Sequence, residues 1–183
     1  KDNKTMFSIS VTPLRLQGYV KFKLLYTYVF GIMSNMIMLG GMKLLASDHY
    51  IVVYQDVVIS LLDNLTWLHI VSLALVNSFM VLFVALILGG FAKNKIEGFA
   101  YIKGGGIFVM TPLLVLLPAF SDAKQYILGI LPNFWHTKAM LNVATSSTES
   151  TNLPFIGYLI IGASIMIGIS VWMFHLFMKK NKV

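Results

Sequence analysis

The chain has 183 residues, of which 57% are hydrophobic and only 11% are charged, with a formal net charge of +7 and no cysteine. Soluble domains carry about 25% charged residues, so this composition excludes an ordinary soluble domain, and its high apolar content excludes a disordered segment. The lack of cysteine excludes disulfide frameworks, thiolate zinc sites and cysteine nucleophiles. Because excess positive charge can indicate either an acidic partner or a membrane orientation, its distribution along the chain has to be considered.

Four apolar stretches are long enough to cross a bilayer, whose hydrocarbon core needs about 20 helical residues. They cover about 24–45, 67–92, 104–120 and 155–178. The third is short and contains Pro112 and Pro118, which predicts a kink or a break. The sequence therefore predicts an all-α fold, a polytopic membrane helix bundle with four spans and additional short amphipathic helices at the membrane interface.

Lysine and arginine concentrate in three segments, 1–23, 93–103 and 179–183. These segments hold eleven cations and two anions (+9), whereas the remaining loops hold three cations and five anions (−2). Cytoplasmic loops of membrane proteins are enriched in Lys and Arg. Both termini and the 93–103 loop are therefore predicted to face the cytoplasm, and most of the charge excess is an orientation signal.

Two segments on the opposite side carry helical patterns. Seven apolar residues recur at helical spacing over 50–62 and predict an amphipathic helix on the outer face or an extension of the second span; they are Tyr50, Val53, Tyr54, Val57, Val58, Leu61 and Leu62. Segment 121–152 predicts two short interfacial or re-entrant helices on either side of Pro132. Phe134 and Trp135 are placed at the headgroup level.

Polar residues inside the predicted spans are few. No charged residue lies at mid-span, and the strongest polar groups there include Asn35 and Asn77. Such side chains can form hydrogen bonds between helices or contact a transported substrate, and both interpretations stay open. The four histidines are scattered and show no metal-binding spacing, which disfavours an integral-membrane enzyme.

The amino-terminal segment has the pattern of a docking element. Asn3 can cap a short helix whose apolar positions Phe7, Val11 and Leu14 share one face, and Pro13 disfavours helical geometry at the residue before it. A basic stretch then leads into the first span. A docking helix and a membrane-surface helix are both compatible with this pattern.

Three motifs together resemble the type 2 family of ABC transporter permeases. The amino-terminal pattern Asp2-x-Lys4-Thr5, followed by Thr12-Pro13-Leu14, Tyr19 and Lys23, resembles the segment before that family's third span. Ala92–Gly98 (AKNKIEG) resembles the cytoplasmic loop between its fourth and fifth spans. Leu131–Ala139 (LPNFWHTKA) resembles the outer aromatic element before its last span.

The resemblance implies a membrane subunit of a bacterial exporter of drugs, peptides, lipids or ions. Family members pair as dimers in the cell membrane, and ATP and Mg²⁺ bind to a partner ATPase, so no cofactor is expected in this chain and no nucleic acid is a partner. The resemblance further divides the chain into a coupling segment (1–20) and a permease domain (21–183). It assigns the ATPase contact to Lys4, Thr5, Met6, Phe7, Ser8 and Ile9.

Family members usually have six spans, so the resemblance implies an amino-terminally truncated chain that lacks an elbow helix and two spans. Two alternatives from other classes remain: a non-transporting membrane anchor or sensor subunit, and an integral-membrane enzyme.

Overall fold

The computed structural model describes residues 16–54, 57–106, 110–120, 122–131, 133–145 and 153–180. The α-helices of these residues are α1 (Leu16–Ala46), α2 (Trp67–Phe91), α3 (Lys95–Gly104), α4 (Thr111–Val115), α5 (Phe134–Ala144) and α6 (Phe155–Lys180). Two strands, β1 (Ile51–Tyr54) and β2 (Val57–Ser60), form an antiparallel pair. Short 3-10 helices cover Ser47–His49, Pro118–Phe120 and Asp122–Ile130.

Three of these helices are long and apolar enough to cross a membrane. Helices α1, α2 and α6 contain 31, 25 and 26 residues. At about 1.5 Å per residue, even the shortest extends about 38 Å, which exceeds the hydrocarbon thickness of about 30 Å. The predicted helices over 24–45, 67–92 and 155–178 are confirmed.

The three long helices do not alternate in direction. The His69 ring lies 4.5 Å from the Phe155 ring, and Lys180 Nζ donates to the Gly90 carbonyl at 2.9 Å, so α2 and α6 are parallel. Helix α1 is antiparallel to α2, because Gly31 lies against Val81 and Gly40 against Trp67. We call the end with the β-hairpin the hairpin end and the opposite end the lysine end.

The prediction of four helical spans is wrong for the described residues, because 104–120 is not one helix. Helix α3 ends at Gly104, and α4 begins at Thr111 with a proline in its first turn. A 3-10 helix then starts at Pro118. The proline ring removes a backbone donor and crowds the preceding turn, which explains the interruption that the sequence predicts.

The fold is mostly helical, as predicted, but the hairpin means that it is not entirely α, and it shows that the predicted amphipathic helix over 50–62 is wrong. Six of the eight residues in β1 and β2 are Val or Ile, whose branched side chains favour the extended backbone. Val52 and Ile59 are cross-strand partners that face the core, whereas Val53 and Val58 are 61% and 66% exposed. The true period is therefore two rather than 3.6.

The predicted pair of short helices around position 132 is confirmed, although the first is a 3-10 helix. Trp135 joins them, because its indole Nε1 donates to the Gly129 carbonyl at 3.0 Å. Helix α5 packs on α6 at Gly162, where an added Cβ would lie only 3.0 Å from Trp135 Cβ. This contact brings the two backbones unusually close.

The apolar core lies at the hairpin end. Two clusters of buried side chains form it, one between α2, α5 and α6 and the other under the hairpin and α4. The first contains Leu62, Leu65, Ile70, Leu73, Ala139, Tyr158 and Leu159. The second contains Ile59, Val115, Leu128, Phe134, Leu141 and Ala144. The lysine end is built mainly from the long helices.

Candidate functional site

Helices α1 and α2 share a cluster of polar side chains, which we call the polar seam: Asn35, Asn77 and Ser78. Asn77 Nδ2 donates to Asn35 Oδ1 at 2.6 Å, and Asn35 Nδ2 lies 3.5 Å from Ser78 Oγ. Asn35 Nδ2 also donates to the Gly31 carbonyl at 2.8 Å. The structure thus brings together the two span asparagines that the sequence selects and shows that they bond to each other.

The seam depends on a close approach of the two helices. Ser78 is fully buried, and its hydroxyl donates to the Ala74 carbonyl at 2.6 Å. A methyl group on Gly31 would lie 3.3 Å from Ser78 Cβ and Oγ. Small residues that let backbones approach, combined with polar side chains between helices, are typical of membrane helix interfaces.

A cavity of about 270 Å³ adjoins the seam toward the hairpin end. Most of its wall is apolar, and its polar lining comes from Asn77, Asn133, His136 and Thr137. Asn35 is not part of the lining, so the two seam asparagines differ in what they can contact. A mostly apolar cavity with a few polar groups is the usual form of a small-molecule site.

A second space of about 280 Å³ lies toward the lysine end, between α1, α2 and α6; we call it the lysine-end groove. It has Lys21 at its edge and Ser170 in its wall. Neither cavity is predicted by the sequence, because each is formed by residues from separate helices. For the first cavity, the sequence offered one signal: Asn133 and Thr137 are four residues apart and therefore lie on the same face of a helix.

Two charged groups at the hairpin end are hydrogen-bonded to neighbouring segments. Lys43 Nζ donates to the Leu62 and Asp63 carbonyls at 2.8 and 3.1 Å, and Ser47 Oγ donates to the Asp63 carboxylate. The Ser47 hydroxyl, with a further contribution from the Lys43 charge, lowers the pKa of Asp63 below its usual value. Asp63 is therefore ionised at neutral pH and fixes the end of α1 to the segment that follows the hairpin.

A buried cation accompanies α5. Lys138 is only 4% exposed, and its Nζ donates to Gln125 Oε1 at 2.6 Å. This hydrogen bond joins α5 to the 3-10 helix before it. Within the described ranges, no group of three or more His, Asp or Glu side chains could hold a metal ion. What the arrangement offers is binding surface and interhelical hydrogen bonds.

The predicted ATPase-contact residues Lys4, Thr5, Met6, Phe7, Ser8 and Ile9 lie outside the described residues, as does most of the 1–20 segment. The structure therefore leaves that prediction as it stood.

The model of one protein family matches residues 1–174, and its description is fluoroquinolones export permease protein Rv2686c-like. The chain belongs to this family. Among curated proteins and among solved structures, no match was found. Family membership and the three long apolar helices agree on a permease located in a membrane.

Proposed function

We propose that the permease is the membrane subunit of a bacterial ABC exporter and that ATP hydrolysis in a partner ATPase drives it. The single observation that supports this most is the match of an export-permease family to nearly the whole chain, residues 1–174. The resemblance of three motifs to type 2 ABC permeases supports ATP hydrolysis as the energy source.

The charge distribution supports an orientation for this exporter. The lysine end carries Lys21 and Lys23 on α1, Lys179 and Lys180 on α6, and further lysines around α3. Lys and Arg are retained on the cytoplasmic side of membrane proteins. We therefore place the lysine end in the cytoplasm, where an ATPase would meet the amino-terminal segment, and the hairpin end outside.

Coupling is assigned to the segment that includes Lys4, Thr5, Met6, Phe7, Ser8 and Ile9. A partner can shift the permease between two states only if it binds them with different affinities. The ATPase must therefore hold this segment differently when ATP is bound. Since α1 (Leu16–Ala46) follows this segment within a few residues, we expect a movement of the segment to reach the lysine end of α1.

The transported molecule is proposed to be a fluoroquinolone or a similar drug, as the family description indicates. Its path would pass the cavity beside Asn77. We further expect a second permease, identical or related, to pair with this one, and the exposed apolar faces of the long helices to contact lipid.

Co-purification tests the class of transporter. The permease expressed with its neighbouring genes should retain a stoichiometric partner that contains the nucleotide-binding pattern GxxxxGK[ST]. In liposomes, the drug should stimulate ATP hydrolysis by this complex. If the drug does not change the ATPase activity of the complex, the chain is an anchor or sensor subunit instead. Purification of the permease without any ATPase would contradict the proposal.

Substitutions in the coupling segment test the mechanism. Lys4→Glu and Phe7→Asp should each abolish ATP-driven transport, because a reversed charge and a buried carboxylate both weaken docking, while the protein still inserts into the membrane. Lys124→Gln, which removes an exposed charge at the hairpin end, serves as the control. Normal transport by both coupling variants would refute the assignment of this segment.

A further inference from the structure

The lysine-end groove has walls from all three long helices. Its lining extends from Phe79 to Leu86 on α2 and from Ile167 to Phe174 on α6, and Lys21 and Ser170 contribute its polar groups. The lining residues of α2 and of α6 each cover seven residue steps, which corresponds to a length of about 10 Å. A volume of about 280 Å³ is close to the lower limit for sites that hold drug-sized molecules.

One polar atom in the groove has no partner. Ser170 is 8% exposed, and among the described residues its Oγ atom makes no hydrogen bond. Buried hydroxyl groups in folded proteins are nearly always hydrogen-bonded, because an unpaired one carries a desolvation penalty of about 1–3 kcal/mol. A polar group on a molecule bound in the groove can supply this partner.

The edge of the groove carries one cation. Lys21 is exposed and lies where α1 enters the span, so its flexible side chain can reach an anionic group that sits at the membrane surface. Lys23, two residues later, is instead positioned over the Tyr19 ring, with Nζ 5.2 Å from the ring centroid. Lys180 at the same end of the molecule donates to the Gly90 carbonyl.

Two aromatic rings line the groove, Phe79 from α2 and Phe174 from α6. The Phe79 ring is held by Tyr28, whose ring centroid lies 4.8 Å away and whose hydroxyl donates to the Leu75 carbonyl at 3.1 Å. Phenylalanine rings on different helices favour a flat aromatic ligand, because stacked or edge-to-face ring contacts add to the apolar burial.

We infer that the lysine-end groove binds a planar aromatic carboxylic acid, with its rings between Phe79 and Phe174, its carboxylate at Lys21 and a polar substituent at Ser170. This inference rests on the proposed function and specifies it further: the groove is the site where the substrate enters from the cytoplasmic half of the membrane. Fluoroquinolones have this chemistry, since they combine a flat bicyclic ring with a carboxylate.

Equilibrium binding of norfloxacin and of its ethyl ester tests the inference. The probes are added to the full chain in nanodiscs of phosphatidylcholine, which has no net charge, and binding is followed by drug fluorescence. Lys21→Gln should weaken binding of the acid by about fivefold, the upper range for a solvent-exposed charge pair. The ester, which lacks the anion, should bind both proteins equally.

The matched control is Lys23→Gln, which removes the same charge from the same helix outside the groove and should leave acid binding unchanged. Ser170→Ala should weaken both probes by roughly two- to tenfold, as the loss of one neutral hydrogen bond implies. Equal acid binding by wild type and Lys21→Gln would overturn the inference, as would an equal loss for the ester.

The outcome also separates the groove from the proposed function. Cells that export norfloxacin normally with Lys21→Gln and Ser170→Ala would leave the export function standing and remove the groove from it. Conversely, Lys21-dependent binding of the acid by a chain whose ATPase complex exports no drug would support the groove and refute the proposed function.

Discussion

The two ends of the permease are built differently. At the hairpin end, short elements fill the space between the long helices, both apolar clusters lie there, and the Trp135, Lys43 and Lys138 side chains donate to carbonyl or amide oxygens of neighbouring segments. At the lysine end, the three long helices line a groove, and Ser170 Oγ has no partner within the described part of the chain.

This difference indicates which part of the molecule can move. A region packed around two apolar clusters resists rearrangement, whereas a region that borders an open groove changes shape at lower free energy. We therefore expect the hairpin end to act as a fixed platform during transport. The lysine end, which continues into the proposed coupling segment, would rearrange around the polar seam.

The largest expected effect on stability concerns two glycines, one at the hairpin end and one at the polar seam. A methyl group on Gly162 would lie 3.0 Å from Trp135 Cβ at the hairpin end, whereas one on Gly31 would lie 3.3 Å from Ser78 at the seam. Gly162→Ala should therefore cost about 1–3 kcal/mol of unfolding free energy, as overpacking does, and Gly31→Ala should cost less. The midpoint of thermal unfolding in detergent measures both.

Each glycine has a matched control on its own helix. Gly168 on α6 and Gly41 on α1 have nothing within 4 Å of an added Cβ, so alanine there should be neutral or stabilise the helix by up to about 1 kcal/mol. A larger loss for Gly31→Ala than for Gly162→Ala would show that the seam, rather than the hairpin end, is the tighter interface.

The seam asparagines give an intermediate effect. Asn35→Ala and Asn77→Ala should each cost about 0.6–1.7 kcal/mol, the range of interhelical hydrogen bonds in membranes. Because Asn77 also lines the hairpin-end cavity, its variant should in addition reduce drug export by roughly two- to tenfold. Export assays at matched expression would assign both residues a purely structural role if the two variants behave identically.

The smallest effect on stability concerns the hydrogen bond between Ser47 and Asp63. The pKa of Asp63 is lower in the folded state than its ordinary value, near 4. The contribution of the ionised Asp63 to the free energy of unfolding is therefore complete above that ordinary value. It is lost as the pH falls through the lower, folded-state pKa. Wild-type protein should thus lose more thermal stability than Asp63→Asn on acidification from pH 5 to pH 2.5. Equal losses of thermal stability by the wild type and Asp63→Asn would mean that the Ser47–Asp63 hydrogen bond contributes nothing to stability.

Sequence patterns predicted the long helices better than the short elements. The three confirmed long helices follow from continuous apolar runs of helical length, which few other structures accommodate. The 50–62 segment matched a helical template, yet its run of Val and Ile formed a hairpin, since branched side chains and cross-strand pairing outweighed the apparent period. Prolines located the break in 104–120 without revealing how the pieces pack.

The candidate site was only partly predictable for a related reason. Asn35 and Asn77 are conspicuous in apolar helices, so the sequence selected them, and their mutual hydrogen bond required only that α1 and α2 pack together. Lys21 and Ser170 are unremarkable in sequence. They become candidate site residues only because α1 and α6 line the same groove. The sequence of either helix alone does not show that the two residues lie close together.

Drug uptake into inside-out vesicles tests the central claim most directly. Helices α1, α2 and α6 contain no aspartate or glutamate, so they offer no carboxylate for proton coupling. Vesicles with the permease and its ATPase should accumulate norfloxacin when given ATP and Mg²⁺, and a protonophore should not prevent it. Uptake driven by a proton gradient without ATP would contradict the account.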